Sequence, residues 1–228
     1  MDFATRLREI KSAVAAACRD AGRDPGEVRL LAVSKTFPAA LAEGFYNAGQ
    51  RMFGENKVQE LRSKSALLPR DIQWHLIGHL QSNKVAAALE CADRIDSVDS
   101  EKLLLRIDRI AGERGLCPRI LLEVNLGDEA GKTGASWDEL PGLARCAAAC
   151  RNCRWEGLMG MAPAADGETV RRCFMRLNAA AAELRKSFSL PLPELSMGMS
   201  GDFPIAVACG ATMVRIGTAL FGEREYPA

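Results

Sequence analysis

Apolar residues recur along this chain in two rhythms, and the alternation between them predicts the fold. From Asp2 to Ala21 they fall at Phe3, Leu7, Ile10, Val14, Ala17 and Cys18, the spacing of one helical face. Gly22 and the Asp24-Pro25-Gly26 turn close that helix. Residues 28–33 form a short apolar run of strand length, and similar runs cover 51–54, 72–77, 94–98, 119–126, 154–159, 194–197 and 212–216. Helical patterns separate them at 38–48, about 57–68, 83–91, 101–114, 137–150, 167–188 and 203–209. A last short helical stretch opens at Gly217-Thr218. Pro38 suits a first helical turn, and Asp99-Ser100 suits an N-cap.

Eight strands alternating with helices, most of them continuous apolar runs, are what buried parallel strands require. Eight such units in this length predict an α/β fold: a closed (β/α)8 TIM barrel with one extra helix in front, rather than an open doubly wound sheet. No linker, low-complexity segment or charge block interrupts the pattern, so residues 1–228 read as one domain.

Charge narrows the function classes. Lysine plus arginine total 30 against 29 acidic residues, a formal net charge of +1. That balance gives no electrostatic case for nucleic acid or an anionic membrane surface. The N-terminal decapeptide carries charges and no apolar signal core, and no apolar run approaches the roughly 20 residues of a membrane helix. A cytoplasmic protein is expected. The eight cysteines are scattered, in keeping with a reducing compartment. Cys146, Cys150 and Cys153 suggest a metal cluster. No fourth ligand is evident in the sequence, however, and Cys146 and Cys150 share an apolar helical stripe, so buried free thiols are the expectation and no metal is assigned.

The chemistry of a βα barrel belongs at the carboxyl ends of its strands. The first strand ends at Lys35, whose amine can snorkel to solvent, hold a phosphate as a point charge, or condense with an aldehyde. The second delivers Glu55 and Asn56, the third His75 and His79, the fifth Asn125, and the sixth Met159 and Gly160. The loops after the last two strands bring Ser200, Gly217 and Thr218, a glycine and hydroxyl set suited to cradling a phosphate. Arg215 alternates with Val214 and Ile216, so its guanidinium points into the barrel, where it must meet a carboxylate or a ligand. A phosphate-bearing aldehyde satisfies all these groups, and pyridoxal 5'-phosphate is the obvious candidate; a plain phosphorylated substrate fits the same set. His75 and His79 do not share a helical face as a metal pair would, so hydrogen-bonding or structural roles are expected for them.

Several stretches carry a family resemblance. Ala32-Val33-Ser34-Lys35-Thr36, Phe53-Gly54-Glu55-Asn56, the run from Trp74 to Lys84, Gly157-Leu158-Met159, the run from Leu195 to Asp202 and the run from Val214 to Gly222 resemble the pyridoxal phosphate homeostasis proteins. These are small relatives of the alanine racemase barrel. The resemblance implies a fold-type III barrel with Lys35 as the Schiff-base lysine. It also implies the phosphate near Ser200, Gly217 and Thr218, Arg215 near the pyridine nitrogen and Asn56 near the ring. Lys57 and Phe37 depart from the residues usual at their positions, which touches rim contacts only.

An arginine beside the pyridine nitrogen keeps that nitrogen unprotonated and makes the cofactor a weak electron sink. In the racemases that the barrel resembles, a tyrosine base comes from a second β-domain and the neighbouring subunit. Here the sequence ends at Ala228, directly after the barrel, and its only tyrosines are Tyr46, on an outer helix, and Tyr226, in the tail. The expectation is a monomeric carrier that binds pyridoxal phosphate reversibly and delivers it to apo pyridoxal phosphate enzymes. An amino-acid racemase or related enzyme on a minimal barrel is the alternative.

Overall fold

The computed structural model describes residues 2–127 and 133–222. Residues 128–132 of the predicted 127–134 loop, and Tyr226, lie outside the described residues. The strands are β1 (Arg29–Val33), β2 (Met52–Glu55), β3 (Gln73–Leu76), β4 (Arg94–Val98), β5 (Arg119–Asn125), β6 (Arg154–Met161), β7 (Glu194–Ser196) and β8 (Met213–Ile216). They pair in parallel in sequence order, and β8 returns to β1 to close the barrel.

The helices are α1 (Phe3–Asp20), α2 (Ala39–Asn47), α3 (Val58–Leu67), α4 (Val85–Ala88), α5 (Glu101–Glu113), α6 (Leu140–Ala149), α7 (Gly167–Phe188), α8 (Phe203–Ala208) and α9 (Thr218–Phe221). None among the described residues is long and apolar enough to cross a membrane. The extra helix α1 covers the seam where β8 meets β1. Its Phe3 meets Phe45 of α2 edge-on, Phe45 meets Phe221 of α9, and Arg6 Nε donates to Ala219 O at 2.7 Å.

Three elements differ from the sequence reading by more than one residue, each for a local reason. The α6 pattern begins at 137, yet the helix starts at Leu140, because Ser136 and Glu139 bond reciprocally in a turn ahead of it. β6 runs on to Met161 because Val124 and Asn125 offer it pairing partners. The helix expected at 83–91 is a 3-10 turn, Ser82–Lys84, continuing into the single turn of α4.

The barrel wall separates two kinds of core. Outward-facing residues such as Leu30, Ala32, Ile95, Val214 and Ile216 join one apolar layer under the helices. The interior is largely polar: His75, Arg94, Asp96, Glu123, Glu194, Ser196 and Arg215 are all buried. Buried charges persist only when paired or hydrogen-bonded, so the interior must be organised internally or by a ligand.

Candidate functional site

All six residues singled out in the sequence, Lys35, Asn56, Ser200, Arg215, Gly217 and Thr218, line one cavity of about 490 Å³ at the carboxyl ends of the strands. His79 joins them at the rim, with Nδ1 3.2 Å from Asp99 Oδ2. His75 lies lower, fully enclosed, with Nδ1 3.4 Å from Asp96 Oδ2, and burial pulls its pKa down. The two histidines therefore serve separate environments. Asn125 lines a smaller hollow of about 250 Å³ beside the main cavity, and Met161, Thr133 and Met199 border both.

Lys64 and Glu60, which sequence reasoning missed, hold the backbone on either side of Lys35, beside Glu55 at the end of β2. β1 ends at Val33, and Lys35 sits in the turn that follows. Lys64 of α3, almost wholly buried, donates to Ser34 O at 2.7 Å, Glu55 Oε1 at 2.7 Å and Glu60 Oε1 at 2.9 Å. Glu60 Oε1 in turn accepts the Thr36 N–H at 2.6 Å, and Glu55 Oε1 accepts the Ser34 hydroxyl at 2.6 Å. Thr36 stands at φ +70°, a left-handed conformation that costs a non-glycine residue about 1–3 kcal/mol and persists only when neighbours impose it. The clamp from α3 imposes it and fixes where the Lys35 side chain leaves the backbone. Burial outweighs the Lys64 and Ser34 contacts and pushes Glu55 up to about 7. The signal was present in the sequence: Lys64 continues the buried stripe of Val58 and Leu61 at helical spacing.

Arg215 occupies the inner end of the cavity. Nη1 donates to Ser196 O at 2.8 Å and Ser196 Oγ at 2.9 Å, and Nη2 donates to Gly160 O at 2.9 Å. All three acceptors are neutral, and among the described residues Arg215 makes no close ion pair. Burial lowers its pKa, opposed by the more distant Asp96 and Glu123, although a guanidinium still keeps its proton. Its charge thus reaches the cavity without a carboxylate at contact distance.

The other end is built by the β7 and β8 loops. Ser200 Oγ accepts the Ala219 N–H at 3.3 Å, which ties the two loops together, and Asp202 Oδ1 accepts the Met199 N–H at 2.5 Å. A methyl group placed on Gly217 would make only ordinary contacts, 3.4 Å to Val33 O and 3.6 Å to Val33 Cβ. The chain's own packing therefore leaves this cavity position open. Tyr46 is remote from the cavity: on α2 its hydroxyl donates to Asp71 Oδ1 at 2.7 Å, with Arg51 stacked on its ring.

Known proteins match this arrangement along nearly the whole chain. The alanine racemase N-terminal domain family matches residues 7–225. The pyridoxal phosphate homeostasis protein of Aquifex aeolicus is 40% identical over 228 residues, which span 99% of this chain and 100% of the relative. That of Pseudomonas aeruginosa is 42% identical, over 99% and 97%. PipY of Synechococcus elongatus, solved with pyridoxal phosphate bound, superposes with a TM-score of 0.82 at 43% identity, over 96% of this chain and 100% of its own. Alanine racemase of Corynebacterium glutamicum shares the fold, with a TM-score of 0.72 at 18% identity, and the match covers 96% of this chain but 62% of the racemase. By sequence and by architecture, the chain belongs to the pyridoxal phosphate homeostasis protein family.

Proposed function

We propose that this protein holds pyridoxal 5'-phosphate in the 490 Å³ cavity, linked reversibly to the Lys35 amine, and serves its storage and delivery rather than turnover of an amino acid. The observation that carries this reading is the convergence on one cavity of a positioned amine, a buried guanidinium with no contacting carboxylate among the described residues, and a glycine and hydroxyl cradle. The cofactor supplies an aldehyde, which condenses with a primary amine and releases water. The residues fit its parts. Ser200, Gly217 and Thr218 take the phosphate, and Gly217 leaves room for it. Arg215 faces the ring nitrogen as a fixed cation, and Asn56 lies beside the ring.

Two further observations support a carrier. A cation fixed at the ring nitrogen disfavours its protonation and weakens the cofactor as an electron sink. Among the described residues no tyrosine reaches the cavity, since Tyr46 is engaged with Asp71. The near full-length match to homeostasis proteins points the same way. On this reading the protein is a one-domain, cytoplasmic monomer whose acceptors are apo pyridoxal phosphate enzymes.

The test is spectroscopic. The purified protein reconstituted with pyridoxal phosphate should show the visible absorbance of a lysine-bound cofactor. Lys35→Ala should lose that band and the borohydride-fixable label. A band that survives in Lys35→Ala moves the linkage elsewhere. Racemisation of alanine or serine at ordinary enzyme rates, 1–10³ per second in order of magnitude, would replace the carrier with an enzyme.

A further inference from the structure

At the amino-terminal end of the barrel, opposite the cavity, three elements bring a second set of reactive side chains together. Asp108 projects from α5, Cys146 and Cys150 stand one helical turn apart at the end of α6, and Cys153 lies in the turn entering β6. One ligand atom each from Asp108, Cys150 and Cys153 lie within 4.8 Å of one another. Cys146 stands one helical turn before Cys150. All four residues are buried or half-buried.

The spacing suits a metal ion. Cys153 Sγ lies 3.7 Å from Asp108 Oδ1. An ion about 2.3 Å from a sulfur and about 2.1 Å from a carboxylate oxygen, at the tetrahedral angle, sets those two atoms about 3.6 Å apart. The Cys153 thiol proton thus sits where such an ion would bridge sulfur and oxygen. Cys150 and Cys153 have the two-residue separation common among zinc-binding cysteine pairs.

The carboxylate is also aimed. Asp108 Oδ1 accepts the N–H of Arg151 at 3.0 Å and of Asn152 at 2.7 Å, and Oδ2 accepts from Asn152 Nδ2 at 3.3 Å. Those bonds fix both the oxygens and the turn that carries the two cysteines, the kind of outer support that metal ligands receive. Capping of the turn alone accounts for Asp108, but not for the two thiols within 4.8 Å of it and a third one helical turn before Cys150. Sulfur with one carboxylate selects a borderline-soft divalent cation over calcium or magnesium.

We propose that Asp108, Cys146, Cys150 and Cys153 form a four-ligand site for a thiophilic divalent cation of the zinc class, with Cys146 completing the set by a change of side-chain rotamer. Each coordinating thiol gives its proton to solvent as its sulfur joins the ion, and no electrons are exchanged. The site ties α5, the end of α6 and the start of β6 together, remote from the cofactor cavity and independent of it.

Cobalt makes the proposal testable in the full-length chain, chelator-stripped and kept reduced. The Lys35→Ala variant keeps cofactor absorbance out of the spectrum. One equivalent of Co²⁺ should give the near-ultraviolet charge transfer of cobalt–thiolate bonds and the intense visible bands of a tetrahedral site, and one equivalent of Zn²⁺ should bleach both. Replacing Cys150 and Cys153 together by serine should abolish the spectrum, whereas Cys117→Ser, at an exposed cysteine, should leave it intact. Should the double variant fold poorly, alkylation mapping on the unaltered chain gives the same answer: Zn²⁺ should protect Cys150 and Cys153 but not Cys117. Weak octahedral cobalt bands, no stoichiometric step, or unchanged alkylation of Cys150 and Cys153 in zinc would overturn the site.

Discussion

Two arginines are enclosed in the same barrel, and their surroundings are opposite. Arg94, on the floor, lies between carboxylates. Nε and Nη2 reach the two oxygens of Asp96 at 2.7 and 3.1 Å, and Nη1 reaches Glu194 Oε2 at 3.0 Å. Burial works against the Arg94 charge, but Asp96 and then Glu194 outweigh it, and the net shift of its pKa is upward. Arg215, at the mouth, has carbonyl and hydroxyl acceptors, and burial lowers its pKa. A floor that neutralises itself is structural. Among the described residues no anion contacts Arg215, and a mouth so built suits a ligand that brings its own acceptor.

The sharpest way to break this comparison is to remove each guanidinium in turn. Arg94→Met leaves buried Asp96 with only His75 beside it and Glu194 with only Arg29, and should cost about 3–5 kcal/mol of unfolding free energy. Arg215→Met strands neutral oxygens only, a loss of about 1–3 kcal/mol, while changing the absorbance and retention of pyridoxal phosphate. Urea midpoints and cofactor spectra on both variants decide the matter. Equal stability costs, or an unaltered spectrum in Arg215→Met, would erase the distinction between floor and mouth.

Glu55 offers an intermediate case and a smaller effect. It is fully enclosed beside the Lys35 turn, and its pKa is raised from the ordinary 4.5 to about 7. Between those values the folded chain keeps this proton and the unfolded chain has released it. Stability should therefore fall as pH rises from about 4.5 to about 7 and level off above, a component on the order of 3 kcal/mol. Glu55→Gln mimics the protonated carboxyl and should remove this component, so that its urea midpoint changes less than the parent's between pH 5 and pH 7.5. An identical pH response in both proteins would assign the titration to another group.

The three buried charges also mark how far sequence could carry the reading. The barrel was legible because buried parallel strands are short apolar runs set off by helical spacing: residues 94–98 and 167–188 match β4 and α7 residue for residue. Arg215 was legible because its neighbours Val214 and Ile216 must face outward, which leaves one direction for it. Of the Lys64 clamp only the buried stripe and the Glu60 neighbour one helical turn away are written in α3 itself, because Ser34 and Glu55 meet Lys64 only once α3 folds over the end of β1. Asp108 was missed for the same reason, since it lies 42 residues before Cys150 and joins it only through helix packing. Alternation along one element is written in the chain, whereas contacts between elements are written in the packing.

Two glycines in and beside the phosphate cradle bring the comparison to its finest scale. Gly198 stands at φ +92°, and a Cβ there would lie 2.5 Å from Ala206 Cβ, so the fold itself demands glycine. Gly217 is not in the left-handed region, and an added Cβ meets nothing closer than 3.4 Å. Gly198→Ala should therefore destabilise the chain by about 1–3 kcal/mol with or without cofactor, through strain and overlap. Gly217→Ala should change the stability of the cofactor-free protein by less than about 1 kcal/mol, yet weaken pyridoxal phosphate retention by about tenfold, roughly 1.4 kcal/mol, because its methyl enters the space left for the phosphate. Thermal melts of the cofactor-free variants, paired with equilibrium dialysis against pyridoxal phosphate, separate the two kinds of glycine. If Gly217→Ala retained the cofactor as the parent does, the phosphate would have to sit away from the β8 loop, and Ser200 would be left as the anchor to test next.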